Sequence, residues 1–300
     1  MPVSEKNTQL ALVETAPKRR LARLLTFKNA LRLPIIIWQA LFFIAPLIFM
    51  VAMSFFIVRN YRMTEAFEMK NWLKMMSRDY FWDSYGLTIG LATLATLVVM
   101  TVAFPAAYTL AFKVSENTRR WAVFFLIIPF FTSYLVRIFS WYVILAESGV
   151  INAMLGYIGL GPFIMLNTKF GTIVGYMTLT LPLVIILQTL SLANIDRSLV
   201  EAAHNLGCRP WRTVFRIVLP LARTGLIIAA VFCFILSFGD FVSPYYLGGS
   251  KPPTLPILIV DTVKSGQQWP RAAVVAVVMM VTLFIVAFGG IAAAYRRRVR

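Results

Sequence analysis

The chain has 300 residues, of which 59% are hydrophobic and only 14% are charged. Soluble domains contain about 25% charged and about 45–50% apolar residues, so this composition excludes a soluble enzyme. The 29 Lys and Arg residues exceed the 12 Asp and Glu residues, giving a formal net charge of +17, but they lie between long uncharged runs rather than in one continuous patch. We therefore expect an all-α integral membrane protein with basic flanks and no nucleic-acid partner.

The residues that build most catalytic and metal sites are scarce. The sequence contains one histidine, His204, and two cysteines, Cys208 and Cys233, too few for a multi-histidine metal site or a disulfide framework. No GxxxxGK[ST] phosphate-binding motif occurs in the sequence. An integral-membrane enzyme would need a polar cluster within the apolar runs, where only Arg137 and Asp240 are suitable. We therefore expect no catalytic residue and no metal site in this chain.

The N-terminal segment differs in character from the rest of the chain. Its first 17 residues are polar and show no periodicity, which predicts disorder. From Lys18 to Leu33, leucines alternate with Arg and Lys, a pattern typical of an amphipathic helix whose basic face contacts anionic membrane lipid. An unstructured basic leader is the alternative. The predicted divisions are an N-terminal tail (1–32), a six-helix membrane domain (33–295) and a basic C-terminal tail (296–300).

Six segments are apolar over the length needed to cross a membrane. An α-helix rises about 1.5 Å per residue and the hydrocarbon core is about 30 Å thick, so a span needs about 20 apolar residues. The predicted spans are Pro34–Val58, Tyr85–Phe112, Trp121–Ala146, Phe170–Ile195, Leu219–Leu247 and Ala272–Tyr295.

Lys and Arg are distributed unequally between the two sides of these spans. Nineteen lie in the N-terminal segment, the loop between spans two and three, the connector between spans four and five, and the C-terminal tail. Nine lie in the opposite loops. Because short cytoplasmic loops carry the excess of Lys and Arg, we expect both termini to be cytoplasmic.

The connector between spans four and five, residues 194–221, is too long and too polar for a plain turn. Ser198 is placed to cap a helix over Leu199–Leu206. Gly207 is placed to end that helix in the left-handed conformation, and Pro210 can begin a second short helix. Two short helices that meet at a glycine and expose arginines would form a knob that fits a groove in a partner protein.

The same connector carries a spaced motif. Glu201-Ala202-Ala203 is followed after three residues by Gly207, and after nine more by Ile217 and then Leu219-Pro220. This pattern resembles the EAA loop of the permease subunits of binding-protein-dependent ABC importers. The resemblance implies an all-α permease of the type I ABC importer fold, with six transmembrane helices, in a bacterial inner membrane.

In that family the first short helix of the loop is the coupling helix, which sits in a cleft of a cytoplasmic ATPase subunit. The resemblance therefore implies that the ATPase-coupling residues are Glu201, Ala202, Ala203, Gly207, Arg209 and Arg212. It also implies an ATP-binding subunit dimer that holds ATP and Mg, a second permease subunit expected as a heterodimer partner, and a periplasmic solute-binding protein. This chain would then need no cofactor of its own. A capped amphipathic connector without any partner is the alternative.

Shorter segments resemble a narrower group of permeases. Thr132–Ile138 with Trp141, Gly239–Val242 with Leu247-Gly248-Gly249, and Trp269-Pro270 resemble spermidine/putrescine permease subunits. This resemblance implies a polyamine or a related cationic amino compound as the transported solute. Another small solute, such as an opine or an amino acid derivative, and an ion-coupled secondary transporter are the alternatives.

Two charges lie within the predicted spans at similar depth. At about 1.5 Å per residue, Arg137 is about 14 Å and Asp240 about 11 Å from the outer ends of spans three and five. One interpretation is a structural ion pair. The other places Asp240 in the translocation cavity, where its carboxylate contacts a substrate ammonium. Trp141 and Tyr245 could add cation–π contacts to the same path, although aromatic residues at this depth also serve as interface anchors.

Overall fold

The computed structural model describes residues 27–59 and 62–296. Within these ranges the chain forms two compact units, with the boundary between Met53 and Ser54. The predicted polar tail and most of the predicted amphipathic segment lie outside the described residues, as does the end of the basic C-terminal tail.

The first unit contains the first predicted span. Helix α1 (Phe27–Gln39), a π-helical turn (Ala40–Ile44) and helix α2 (Ala45–Met53) follow one another directly along the chain. Within them, Arg32–Met53 is long and apolar enough to cross a membrane. The span is shorter than predicted because the chain leaves the helix and turns at Ser54.

The second unit contains a short antiparallel pair of strands, with Ile57 opposite Thr64, and a bundle of helices. Its elements in chain order are β1 (Ile57–Arg59), β2 (Arg62–Thr64), α3 (Lys70–Met76), α4 (Asp79–Tyr108), α5 (Glu116–Ile127), α6 (Tyr134–Leu145), α7 (Val150–Tyr157), α8 (Lys169–Ala193), α9 (Arg197–Asn205), α10 (Pro210–Thr213), α11 (Leu219–Gly239), α12 (Val242–Tyr246), α13 (Leu255–Lys264) and α14 (Trp269–Tyr295).

The segments of this unit that are long and apolar enough to cross a membrane are Asp79–Lys113, Tyr134–Tyr157, Lys169–Ala193, Pro210–Gly239 and Trp269–Tyr295. Together with the span of the first unit, the described residues contain six such segments. The prediction of an all-α membrane protein with six spans is confirmed.

Helix α8 packs between α4 and α11. Small residues allow the close approach: Ala95 and Ala103 of α4 are fully buried, and a Cβ atom on Gly225 of α11 would collide with Ser191 of α8. In a membrane, packing of this kind replaces the exclusion of water as the source of helix association.

Hydrogen bonds also join these helices. Ser191 Oγ donates to Ala222 O at 3.0 Å, which links α8 to α11. Gln188 Nε2 donates to Met100 O at 3.1 Å, which links α8 to α4. Interhelical bonds of this kind contribute about 0.6–2 kcal/mol each in membranes, so they hold the three helices at fixed positions along one another.

The third predicted span, Trp121–Ala146, is not one continuous helix. Helix α5 leads into a 3₁₀ turn at Ile128–Phe131, and Thr132 is extended before α6 begins. Pro129 lies in this turn, and a proline ring clashes with the backbone of a continuing α-helix. The membrane-length segment is instead Tyr134–Tyr157, made of α6 and α7.

The fifth predicted span, Leu219–Leu247, is shifted toward the N-terminus. The short helix that begins at Pro210 continues through a π-helical turn, Val214–Val218, directly into α11. Pro220 has no N–H to donate, and the wider π-helical turn accommodates the missing hydrogen bond without ending the helix. Helix α11 then ends where Asp240 adopts an extended conformation.

Candidate functional site

The connector predicted to bind a partner contains the short helix α9. The side chain of Asp196 caps this helix, because its Oδ1 accepts the Ser198 N–H at 3.0 Å. The prediction that Ser198 is the cap is wrong, since the carboxylate of Asp196, two residues earlier, is the stronger acceptor. Hydrogen bonds from the backbone and the side chain of Ser198 lower the pKa of the Asp196 carboxyl below its usual value. A negative charge therefore faces the positive end of the helix dipole.

The end of α9 has the geometry predicted from Gly207. This residue has a φ of +75°, a left-handed conformation that favours glycine. Gly207 N donates to His204 O at 2.9 Å, and Cys208 N donates to Ala203 O at 3.0 Å. This pair of bonds is a Schellman motif, which satisfies the last carbonyls of the helix. The chain then turns, and Pro210 begins the next helix as predicted.

One face of α9 is packed against the bundle. Val200 is buried in a cluster with Ala111, Leu192 and Val218, which belong to three membrane-spanning segments. Ala203 is buried as well. Helix α9 is therefore in direct contact with those segments.

The other face of the connector is exposed. Of the six residues predicted to couple to an ATPase, Ala203 packs inward and the others are exposed, namely Glu201, Ala202, Gly207, Arg209 and Arg212. Leu206 and Trp211 add large apolar side chains that are 85% and 75% exposed. We call these seven exposed residues the coupling surface. Arginine beside large exposed apolar side chains is typical of a site for a protein partner.

Arg197 belongs to this region although the sequence analysis did not identify it. Its Nη2 donates to Ala111 O at 3.0 Å and to Val114 O at 3.4 Å, at the end of the second span. The guanidinium therefore ties the start of α9 to a span that lies far away in sequence. No local sequence signal indicates this contact.

Asp240 lies at the break between α11 and α12 and is only 8% exposed. Its Oδ2 accepts a hydrogen bond from Tyr134 Oη at 2.7 Å. The backbone N–H groups of Val242 and Ser243 donate to its two oxygens at 2.9 and 3.2 Å. Tyr134 Oη also lies 2.6 Å from Ser243 Oγ. These contacts join the break before α6 to the break after α11, and we call Tyr134, Asp240 and Ser243 the Asp240 cluster.

The interpretation of Arg137 and Asp240 as an ion pair is wrong, because no such pair forms within the described residues. Arg137 Nη1 instead donates to Thr178 O of α8 at 3.1 Å. Its guanidinium carbon lies 5.6 Å from the centre of the Tyr134 ring. The prediction that Arg137 and Asp240 lie at similar depth assumes that both spans are continuous helices. Because the helices are broken before α6 and after α11, different side chains meet.

The aromatic residues predicted to flank this path lie on two elements. Tyr245 of α12 is 39% exposed and stacks on Phe241 with ring centres 5.0 Å apart. Trp141 of α6 is half-buried, about one turn beyond Arg137. Tyr245 is therefore adjacent to the Asp240 cluster along the chain, whereas Trp141 makes no ring contact with it among the residues described.

Residues 100–300 match the family model described as a binding-protein-dependent transport system inner membrane component. The matched region contains both the coupling surface and the Asp240 cluster. The chain belongs to this family. It is a permease subunit of an ABC importer, as the EAA pattern predicts, and a multi-pass protein of the inner membrane.

Curated relatives are similar to most of this permease. It is 27% identical over 262 residues to the spermidine/putrescine transport system permease protein PotB of Haemophilus influenzae, covering 84% of this chain and 88% of the relative. It is 26% identical over 249 residues to PotB of Escherichia coli, covering 82% of this chain and 90% of the relative. The molybdenum transport system permease protein ModB of Azotobacter vinelandii is 30% identical over 207 residues, covering 67% of this chain and 89% of the relative.

A solved structure has the same fold. It is a bacterial alginate ABC transporter in complex with an alginate pentasaccharide-bound periplasmic protein, and one of its chains matches with a TM-score of 0.73 and 19% identity, covering 93% of this permease and 96% of that chain. The predicted type I importer permease fold is confirmed. Its family and its relatives are those of a transport permease, so the permease is a transport subunit rather than a catalytic enzyme.

Proposed function

We propose that this permease and a second permease subunit form the path by which a polyamine such as spermidine or putrescine enters the cell. The observation that carries this proposal is the similarity over 84% of the chain to a spermidine/putrescine permease. Asp240 gives it chemical support, because it is a buried carboxylate directly after the span Pro210–Gly239, and a buried charge beside a span is costly and usually marks a functional path.

In this proposal the carboxylate of Asp240 contacts an ammonium group of the cargo. In the conformation described, Tyr134 covers it, so a cargo ammonium would replace the tyrosine hydroxyl while the two backbone N–H donors remain. Arg137, held between α6 and α8, would lie beside the path. Trp141 and Tyr245 would supply aromatic faces, which attract organic cations by about 0.5–2 kcal/mol each.

The coupling surface would bind a dimer of cytoplasmic ATP-binding subunits. That partner would hold ATP and Mg, so this chain would bind neither. Both termini and the coupling surface would then be cytoplasmic, and the second permease would be a different chain that forms a heterodimer. The packing of α9 against the ends of the spans supports this role, since movement of the partner would reach the bundle directly.

Uptake of labelled solutes by cells that express the whole transporter tests the cargo. We expect saturable uptake of spermidine or putrescine, each competing with the other, and no uptake of molybdate. An empty-vector strain that lacks its own polyamine importers is the control. Uptake of molybdate or of a neutral amino acid derivative, without uptake of either polyamine, would contradict the assignment.

A further inference from the structure

Helix α9 is joined by the chain itself to two of the membrane-spanning segments. Only residues 194–196 separate it from α8. Beyond the turn at Gly207, the helix that begins at Pro210 runs through a π-helical turn into α11. The second span, Asp79–Lys113, is far from α9 in sequence, so side-chain contacts are what link it to α9.

Contacts of two kinds make this link. Val200 of α9 and Ala111 of the second span belong to the same buried apolar cluster. Arg197, the first residue of α9, donates from its Nη2 to Ala111 O at 3.0 Å and to Val114 O at 3.4 Å. Apolar side chains can slide over one another, whereas hydrogen bonds to two carbonyl groups are directional. The guanidinium therefore fixes where α9 sits along the second span.

The carbonyl groups that Arg197 binds lie at the end of the second span. That span ends in a π-helical turn, Thr109–Lys113, and the chain becomes extended at Val114. The last carbonyl groups of a helix have no donor within the helix, and the guanidinium supplies one. Positive charge is also favoured here, since the negative end of the helix dipole lies at this end.

The position of Arg197 in its own helix is unfavourable. It lies at the positive end of the α9 dipole, where an acidic side chain is preferred to a basic one. Its guanidinium forms no ion pair within residues 27–59 and 62–296. Residues that contradict a local preference occur mainly at functional sites, and the contact with the second span accounts for an arginine at this position.

We propose that Arg197 is the positioning residue through which α9 moves the second span together with the fourth and fifth spans. The inference rests on the proposed function, because it takes α9 as the helix that the ATP-binding subunit displaces. When α9 moves, the guanidinium holds the end of the second span to it. Helix α4 packs against both α8 and α11, so the three helices then move as one group.

The test compares the complete wild-type transporter with its Arg197→Met variant in proteoliposomes. Methionine keeps an unbranched apolar stem and removes every donor of the guanidinium. The number of solute molecules taken up per ATP hydrolysed should fall about threefold, because the charged hydrogen bonds to the second span are lost. The affinity of the permease for the ATP-binding subunit should stay at the wild-type value.

Arg223→Met is the matched control. Arg223 Nη2 also donates to a carbonyl group at the end of a helix, Arg296 O at 2.8 Å. That helix is α14, which contributes no residue to the buried cluster around Val200. Each variant loses a comparable hydrogen bond, so a small fall in the Tm of the complex should be shared by both. Arg223→Met should keep the uptake per ATP of the wild type.

Wild-type uptake per ATP in Arg197→Met, or an equal fall in Arg197→Met and Arg223→Met, would overturn the role of Arg197 and leave the proposed function standing. Weaker binding of the ATP-binding subunit by Arg197→Met would place Arg197 in the contact with that subunit and overturn the role as well. A wild-type permease that binds no ATP-binding subunit would overturn the proposed function, and this inference with it.

Discussion

Asp240 is a buried carboxylate that three neutral donors hold in place. Tyr134 Oη and the N–H groups of Val242 and Ser243 lie 2.7, 2.9 and 3.2 Å from its oxygens. Hydrogen bonds to charged groups contribute about 1.5–3 kcal/mol each, so these donors offset part of the cost of removing the charge from water. Arg137 donates to Thr178 O instead, so within the described residues the two charges are independent of each other.

Substitution of both charges tests this independence. Asp240→Asn should lower the Tm of the purified transporter, because a neutral amide accepts the three hydrogen bonds more weakly and turns its own donors toward one of them. Adding Arg137→Gln should not restore the Tm. The interaction free energy between the two substitutions, measured by a double-mutant cycle, should stay below about 1 kcal/mol. Removing one partner of a buried ion pair would instead cost about 3–5 kcal/mol.

Tyr134→Phe provides the matched comparison, since it removes one donor to the carboxylate and keeps the ring beside Arg137. It should destabilise the transporter by about 1–2 kcal/mol. If Arg137→Gln fully restored the Tm of the Asp240→Asn transporter, the two charges would instead pair in the membrane.

Helix α9, the proposed coupling helix, depends on one residue at each end. Asp196 caps its start, and Gly207 ends it. A Cβ atom on Gly207 would meet no atom within 4 Å, so the positive φ alone requires glycine here. The direction in which the chain enters the next helix is therefore controlled by backbone conformation rather than by packing.

Gly207→Val should uncouple ATP hydrolysis from uptake while the subunit still inserts and assembles. A β-branched residue in the left-handed conformation costs about 1–2 kcal/mol, which favours a different exit from α9 and displaces the coupling surface. The measurement is the number of solute molecules taken up per ATP hydrolysed by the reconstituted complex.

Gly159→Val is the control for that substitution. Gly159 also has a φ of +75°, and a Cβ atom there also meets no atom within 4 Å, but it lies in the loop between α7 and α8. The variant carries the same local strain, and it should take up as many solute molecules per ATP hydrolysed as the wild type does. The same loss of coupling in both variants would mean that the turn at Gly207 has no special role in transmission.

At the scale of the whole molecule, the number of spans follows from hydropathy alone because apolar length is a local property of the chain. The EAA spacing and the left-handed Gly207 are local as well. The breaks in the helices are not local properties. Pro105 and Pro182 lie inside continuous helices, so a proline such as Pro129 does not by itself predict that a helix is interrupted. The contact between Tyr134 and Asp240 joins residues 106 positions apart, a distance at which a single sequence carries no signal.

The predicted sidedness can be measured with single cysteines in a Cys208→Ser background, in which the remaining cysteine is buried. Phe67→Cys, at a position 74% exposed, should react with a membrane-impermeant maleimide in spheroplasts with intact inner membranes. Leu206→Cys, at a position 85% exposed, should react only after permeabilisation. The opposite pattern would place the coupling surface out of reach of cytoplasmic ATP and overturn the orientation.

Transport by the purified complex in proteoliposomes tests the central claim most directly. With ATP sealed inside and the loaded solute-binding protein outside, spermidine or putrescine should accumulate in the lumen. Omitting ATP or the binding protein, or inactivating the ATPase, should abolish the accumulation. Accumulation driven by an ion gradient in vesicles that contain this chain without an ATPase would contradict the account and identify a secondary transporter.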